Sequence, residues 1–526
     1  MLPEMNDIEI ASGTNATGLQ DSATGIEIAC DRDVVGIEYD TLNEYCGVFG
    51  ILDPNIANSK GLGQTLYYGL YALQHRGQES CGMAVFDNHQ FRVHKDMGLV
   101  NIVFSESILA NLTGQVGIGH TRYSTTGGCN LDNAQPVVTR CPFGALTLAH
   151  NGNLINTEAL RVFLQERGFF GFGDSDSHLM VQYINYEINQ GKSLKDSVMA
   201  ALSACEGAFS LVIATGDTLI AARDRNGLRP FCMGKTQDGA TVVASETCAL
   251  DIVGAKYVRD IAPGEVYVVD LNGNEESLSL PGEKKEHLCV FELVYFARPD
   301  SQVHNSSVYN YRLNLGRRLA QRSRELFPEI HKAGAEADIV IPVPDSGNVA
   351  AVGYSQESGI SYVEGLIKNR YVGRTFINPT QEHRERGIQL KLNPLKDILA
   401  GKRVVVVDDS IVRGNTSRKL VKMLRECGVK ELHLRISSAP VRKPCFYGID
   451  MSDEEQLIAN KMDTPTLQQW LGVDSLVYLT PEDMTDLARQ TGLKDPCDAC
   501  FSGIYPAGHP DDYTPQQQPL SIGRVH

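Results

Sequence analysis

The sequence predicts two folded halves of different class: an α+β half built on antiparallel sheets, then an α/β half built on a parallel sheet. Three observations carry this. From Cys46 to about Leu280, short apolar runs with a period of two alternate with Gly, Asn and Asp turns, the pattern of antiparallel strands. Beyond the polar string Pro281-Gly-Glu-Lys-Lys-Glu286, strands such as Asp338-Ile-Val-Ile-Pro342 and Val404 to Val407 alternate with helical stretches such as Ser417 to Cys427, the alternation of an α/β fold. Residues 1–45 belong to neither half: ten acidic residues stand against one base, Arg32, a net charge of −9, in a stretch too polar to bury a core.

In chain order, residues 1–45 are expected to be a disordered, removable propeptide. Residues 46–285 form the first domain, with a helix containing Leu66 to Leu73 and strands such as Gly144 to Ala149, which gives way to Gly/Asn-type turn residues at His150-Asn-Gly. Pro281 to Glu286 has linker composition, residues 286–503 form the second domain, and the Pro-, Gln- and Asp-rich residues 504–526 are expected to be a mobile tail. At 526 residues, 42% hydrophobic and 21% charged, the chain is globular and long enough for about two to four domains. No apolar run approaches the roughly 18 to 20 residues of a membrane span, and the N-terminus lacks a basic flank and an apolar core. A cytoplasmic protein without a membrane partner is expected. A net charge of −16 argues against a nucleic-acid partner. The 13 cysteines of a chain without a secretion signal are not read as a disulfide framework, which turns attention to metal ligation and catalysis.

The string Arg403-Val-Val-Val-Val-Asp408-Asp409-Ser-Ile-Val-Arg-Gly-Asn-Thr416-Ser417 names a substrate class. Four β-branched residues read as a buried parallel strand, and such strands place ligands at their carboxyl ends. Gly414, Asn415, Thr416 and Ser417 offer backbone N–H groups and hydroxyls to a phosphate at a helix N-terminus. Asp408 and Asp409 beside that nest suit ribose hydroxyls, directly or through Mg²⁺, which prefers few carboxylates. The string resembles the phosphoribosyl pyrophosphate (PRPP) motif of type I phosphoribosyltransferases.

A second chemistry centres on Cys46. Cleavage before Cys46-Gly-Val-Phe-Gly50 would expose a thiol and an α-amine on one residue. The amine, with a reference pKa of about 7.7 to 8.0, can serve that thiol as base near neutral pH. Its companions are His120-Thr-Arg-Tyr-Ser-Thr125, His150-Asn-Gly-Asn153 and Gly173-Asp-Ser-Asp-Ser177. Arg122 can fork onto a glutamine α-carboxylate, Asp176 can pair with its α-ammonium, and Asn151 with the N–H of Gly152 can face an oxyanion. With Leu73-Gln-His-Arg-Gly-Gln-Glu-Ser80, these stretches resemble the N-terminal-nucleophile glutaminase of class II amidotransferases.

The two halves together resemble the glutamine PRPP amidotransferase family over about residues 46–503. Further matching stretches are Tyr295-Phe-Ala-Arg-Pro-Asp-Ser301, Ile341-Pro-Val-Pro-Asp-Ser346 and Lys368-Asn-Arg-Tyr-Val-Gly-Arg-Thr-Phe376. The resemblance implies an αββα glutaminase sandwich followed by the α/β phosphoribosyltransferase domain. It implies Mg²⁺ on Ser346, Asp408 and Asp409, the ribose 5-phosphate in the loop Asp408 to Ser417, and Lys368, Arg370 and Arg374 in a basic loop over PRPP. It further implies the conversion of glutamine, PRPP and water to 5-phosphoribosylamine, pyrophosphate and glutamate, the opening step of purine synthesis, with ammonia passing between domains near Tyr295. Cys289, Cys445, Cys497 and Cys500 align with the ligands of a [4Fe–4S] cluster that some members carry. AMP and GMP feedback and a dimer or tetramer are likewise family expectations. The chain departs from the family in length before the nucleophile: 45 residues precede Cys46 where about a dozen are common, so an uncleaved chain that uses only ammonia is one alternative. A PRPP-sensing regulator without catalysis is the other.

Overall fold

The computed structural model describes residues 46–510 except 56–60, 88–89, 124–129, 143, 171–172, 174, 332–336, 370–391 and 452. The first half is a sandwich of two sheets. One has seven antiparallel strands, in the order Lys256–Asp260, Cys232–Lys235, Thr241–Ala244, Gly47–Leu52, Val116–Arg122, Ser80–Asp87 and Gln90–Met97. The other has six, in the order Glu275–Ser279, Glu265–Asp270, Thr218–Arg223, Gly207–Ala214, Gly144–Leu154 and Val137–Cys141. Val48, Ala84, Ile118, Ala149, Val212 and Val243 fill the space between them. Because both faces of each sheet are covered, the central strands are buried on every residue, as in Gly47–Leu52 and Gly207–Ala214. Helices Leu62–Ala72 and Thr247–Ile252 pack on the outside of the first sheet. Thr157–Gln165, Asp176–Asn189 and Leu194–Ser203 pack on the outside of the second. This is the expected αββα sandwich.

The second half is built on four parallel strands side by side: Ile339–Pro342, Arg403–Asp408, Glu431–Ile436 and Ser475–Tyr478. Side chains alternate across a strand. Val405 and Val407 therefore enter the core shared with helices Val308–Leu326 and Asn348–Ser358, while Val404 and Val406 enter the opposite core with Asn415–Glu426 and Thr464–Leu471. Burial on both sides is why the strand is a run of four valines. In helix Asn415–Glu426, Leu420, Val421 and Leu424 form the buried stripe at the i, i+1, i+4 positions of an amphipathic helix.

Two expectations are revised. His150-Asn-Gly does not turn, since strand Gly144–Leu154 continues through it, pairing Asn151 with Ser210 and Gly152 with Phe209. Residues 504–510, expected to begin a mobile tail, pack onto the second domain. Tyr505 donates to the Pro444 carbonyl at 2.8 Å, Ala507 N–H to the Tyr447 hydroxyl at 3.0 Å, and Tyr447 in turn to the Gly508 carbonyl at 2.9 Å. Three aromatic residues, Tyr505, Phe446 and Tyr447, supply the apolar surface that a Pro/Gln/Asp composition hides. The rest of the tail, residues 511–526, and the propeptide lie outside the described residues, as do Arg370 and Arg374. Among the described residues, no helix is long and apolar enough to cross a membrane.

Candidate active sites

Cys46 stands immediately before strand Gly47–Leu52, whose partner strand ends at Arg122; the register Gly47↔Thr121 brings the two residues to the same sheet end. The Cys46 thiol donates to the Tyr123 carbonyl at 3.5 Å. Burial pushes it up to about 11, opposed by that hydrogen bond and by Arg122 and raised again by Asp176 and Glu79, so Arg122 and Asp176 share its electrostatic surroundings. Asn151 is fully buried and reaches the same strand indirectly: its amide lies 3.5 Å from Ser245 Oγ, which accepts the Val48 N–H at 3.0 Å. Its Oδ1 has no hydrogen-bond partner among the described residues, a buried polar atom that a ligand donor could satisfy. Gly152 has φ +151°, and a Cβ there would collide with the Ala208 carbonyl, so only glycine lets the strand carry its N–H at this spot. Asp176 opens helix Asp176–Asn189, accepting the Leu154 N–H at 3.1 Å and facing His150 Nδ1 at 3.3 Å. Burial alone would raise its carboxyl, but His150 and the surrounding donors hold it below the usual carboxylate range.

The other site lies at the carboxyl edge of the parallel sheet. Val343 N–H donates to the Val407 carbonyl at 2.8 Å, so the turn with Ser346 and the turn with Asp408 and Asp409 leave neighbouring strands side by side. Asp409 is buried, its N–H donating to Asp408 Oδ1 at 2.9 Å and its Oδ2 accepting from Ser410 at 2.5 Å. The chain then turns through Gly414, φ +84°, into helix Asn415–Glu426; Asn415, Thr416 and Ser417 form its first turn, whose N–H groups lack intrahelical acceptors. Lys368 Nζ sits 2.6 Å from Asp345 Oδ2, on the turn that carries Ser346. Serine hydroxyl and carboxylate oxygens are the hard donors Mg²⁺ takes. Among the described residues, no three His, Cys, Asp or Glu side chains converge as a ready single-metal site.

A profile of the "Glutamine amidotransferase domain" family matches residues 120–251, and one of the "Phosphoribosyl transferase domain" family matches residues 312–444. The amidophosphoribosyltransferase of Synechocystis is 50% identical over 489 residues, covering 92% of this chain and 95% of its own length. That of Methanocaldococcus jannaschii is 43% identical, covering 88% and 97%. The chain belongs to the amidophosphoribosyltransferase family. Among solved structures, a glutamine PRPP amidotransferase from B. subtilis complexed with ADP and GMP superposes with a TM-score of 0.79 at 43% identity, covering 88% of this chain and 98% of its own. Another, titled the allosteric regulatory enzyme of purine biosynthesis, gives 0.80 at 43%, covering 88% and 96%.

In this chain the two domains meet across a buried ion cluster that the sequence reading missed. Arg76 Nε donates to the Cys46 carbonyl at 3.2 Å, Nη1 to Glu246 at 2.5 Å and Nη2 to Glu292 at 2.7 Å. Glu292, from the second domain, also faces Arg229 at 3.4 Å, and Arg229 donates to the Tyr447 carbonyl at 2.6 Å. Glu246 accepts from Ser301 Oγ at 2.7 Å and Arg298 N–H at 2.9 Å. Four buried charges are tolerable only because each is paired and hydrogen-bonded. Burial opposes the charge on Glu246, and His75 and Arg76 overcome it, holding the carboxyl well below its usual range. Arg76 stood inside Leu73 to Ser80, but nothing in that string disclosed its charge partners, which lie more than 150 residues away.

The four cysteines singled out also share a neighbourhood. Cys289 and Cys497 bridge in parallel, Val290 N–H donating to the Cys497 carbonyl at 2.9 Å and Cys497 N–H to the Leu288 carbonyl at 2.9 Å. Cys445 Sγ accepts the Tyr447 N–H at 3.4 Å. Burial pushes the thiols of Cys289, Cys497 and Cys500 up, and proximity to one another and to Cys445 adds to it. Four thiols so placed fit the donor set of an iron–sulfur cubane, which spreads its ligands over a wider shell than a single ion does.

Proposed function

We propose that this chain, after cleavage before Cys46, converts glutamine, PRPP and water to 5-phosphoribosylamine, pyrophosphate and glutamate, as the first committed step of purine biosynthesis. The observation that carries the reading is the pairing in one chain of Cys46 beside Arg122 and Asp176 with Asp408 and Asp409 at the edge of the parallel sheet. In the glutaminase domain, residues 46–285, the freed α-amine takes the Cys46 thiol proton as sulfur attacks the amide carbon. Arg122 and Asp176 hold the α-carboxylate and α-ammonium. Asn151 and the Gly152 N–H donate to the oxyanion, ammonia leaves, and water cleaves the thioester to glutamate. In residues 286–503, Ser410, Gly414, Asn415, Thr416 and Ser417 hold the 5-phosphate, Lys368, Arg370 and Arg374 meet pyrophosphate, and ammonia displaces it at the anomeric carbon. Bound at Ser346, Asp408 and Asp409, Mg²⁺ would offset pyrophosphate charge. Cys289, Cys445, Cys497 and Cys500 would hold a [4Fe–4S] cluster with a structural role. Purine nucleotides such as AMP and GMP as inhibitors, a homo-oligomer and a cytoplasmic setting complete the proposal.

The test is the intact mass and N-terminal sequence of the purified protein, read beside glutamine-dependent and ammonia-dependent phosphoribosylamine formation. A start at Cys46 with turnover of glutamine is expected. A start at Met1 or Leu2 with activity on ammonia alone would instead favour a dormant glutaminase, and no pyrophosphate release from either nitrogen source would favour a PRPP sensor. Iron and acid-labile sulfide in anaerobically purified protein test the cluster.

A further inference from the structure

We propose that His150 is a positioning residue for glutamine: it ties the carboxylate of Asp176 to the strand that presents Asn151 and Gly152. The inference rests on the glutaminase reading above and extends it to a residue outside the substrate's reach.

His150 is buried on strand Gly144–Leu154, directly before Asn151. Alternation along the strand sends its ring to the face opposite the Asn151 side chain. There Nδ1 lies 3.3 Å from Asp176 Oδ1 and 3.4 Å from Ser177 Oγ, while Nε2 lies 3.3 Å from the Ala208 carbonyl. The Asp176 carboxylate is thus gripped twice by the same strand: at Oδ1 by His150 and at Oδ2 by the Leu154 N–H at 3.1 Å. Asn151 and Gly152 lie between the two grips. Ser177 donates to Asp176 Oδ1 at 3.3 Å and accepts from Gln135 Nε2 at 3.0 Å, and Gln135 Oε1 accepts the His150 N–H at 2.7 Å. The His150 carbonyl accepts from His120 Nε2 at 3.0 Å across the two sheets.

The charged groups around the ring are few. Among the described residues, Asp176 is the one that faces it within ion-pair distance. His120, on the opposing sheet, is held neutral by burial, its pKa pushed down to about 3. Oδ1 is taken by two donors, whereas Oδ2 keeps a further lone pair beyond the Leu154 contact, so the carboxylate can still accept from an ammonium. What the His150 contact fixes is its aim, relative to the oxyanion donors one and two residues along the strand. Misplacement of such a group by about 1 Å costs rate steeply.

The experiment compares glutamine with glutaramate, which keeps the amide and the α-carboxylate and lacks the α-amine, as substrates of the processed full-length enzyme. Their ratio of kcat/KM reads the ammonium contact itself and does not depend on how much protein is folded. His150→Gln places its amide near Nε2 and abandons Asp176; His150→Asn places an N–H near Nδ1 and keeps it. His150→Gln is expected to reduce the preference for glutamine about tenfold or more, the worth of one hydrogen bond to a charged group, and His150→Asn to retain most of it. A preference unchanged in His150→Gln, or lost equally in both, overturns the inference and leaves the glutaminase reading standing. Failure of processed wild-type enzyme to use glutamine would overturn both. Should His150→Gln fail to fold, Ser177→Ala, which removes a second donor to the same oxygen, must reduce the preference in the same sense, and its failure to do so counts against the proposal.

Discussion

A neutral histidine sealed in a protein is a liability in acid, and His120 is such a residue. It is fully buried, donating from Nε2 to the His150 carbonyl, and burial pushes its pKa down to about 3 from an unfolded value of about 6.5. Between those values the unfolded chain binds the proton and the folded chain does not. Stability therefore falls as pH drops below about 6.5, by up to about 1.4 kcal/mol per unit. Urea unfolding midpoints of His120→Gln and wild type, measured from pH 7 to 5, should converge as pH falls: the variant starts less stable, through lost packing, and declines less steeply. Parallel slopes would show that His120 does not titrate as its burial dictates. Glu246 works in a lower window. Its carboxyl is depressed by His75 and Arg76, so its contribution is complete above about pH 4.3 and is lost as pH falls further through the depressed value. Glu246→Gln is expected to cost about 3 kcal/mol near neutral pH by unpairing buried charge, and to flatten the acid limb below pH 4.3.

At the level of elements, the turn between strand Arg403–Asp408 and helix Asn415–Glu426 is the most exacting piece. Gly414 has φ +84°, and a Cβ there would sit 3.0 Å from the Trp470 ring. Gly414→Ala is expected to cost about 1 to 2 kcal/mol and to raise KM for PRPP more than it lowers kcat, measured with ammonia as the nitrogen source; a KM within twofold of wild type would remove Gly414 from the phosphate nest. Cys445→Ser is expected to abolish bound iron and sulfide and to open residues 496–510 to protease, because Cys497 and Cys500 would lose a shared anchor. Iron retained at wild-type stoichiometry would exclude Cys445 as a ligand. The parallel strand was legible because four valines buried on both faces leave little other reading, and the Asp408-Asp409 pair followed from where such strands place ligands. The strand through His150-Asn-Gly was not legible. Asn-Gly is a turn signal by local chemistry, and only pairing with Gly207–Ala214, more than 50 residues away, overrides it. One tyrosine of a polar tail, Tyr505, misled in the same manner at 504–510, since its partners Phe446 and Tyr447 lie far off in sequence.

For the molecule as a whole, the fold classes of the two halves were readable from their strand and helix patterns, whereas the junction was not, since charge partners separated by 170 and 216 residues leave no local trace. Yet the junction joins the two chemistries. Arg312, a buried guanidinium pushed down to about 10 with Asp409 foremost among the groups opposing the shift, donates to the carbonyls of Leu293 and Ala297 at 2.9 and 2.7 Å. The first of those carbonyls lies within the turn Glu292–Phe296 and the second just after it, and Glu292 grips Arg76, which holds the Cys46 carbonyl. Ligand at Asp408 and Asp409 changes the field on Arg312, and each following contact is a hydrogen bond or ion pair among buried groups, where such interactions are strong. Coupling between the sites requires that PRPP interact differently with two arrangements of this chain of contacts. In processed enzyme, PRPP should then raise glutaminase kcat/KM. Glu292→Gln keeps the shape but removes the charge that Arg76 and Arg229 share, and should shrink that stimulation at least severalfold while lowering basal glutaminase less. The ratio of glutaminase activity with and without saturating PRPP and Mg²⁺, taken in both proteins, decides it. A variant stimulated as strongly as wild type would mean that the ion cluster only cements the domains together, and a wild type indifferent to PRPP would mean that the two sites, though joined by these contacts, run independently.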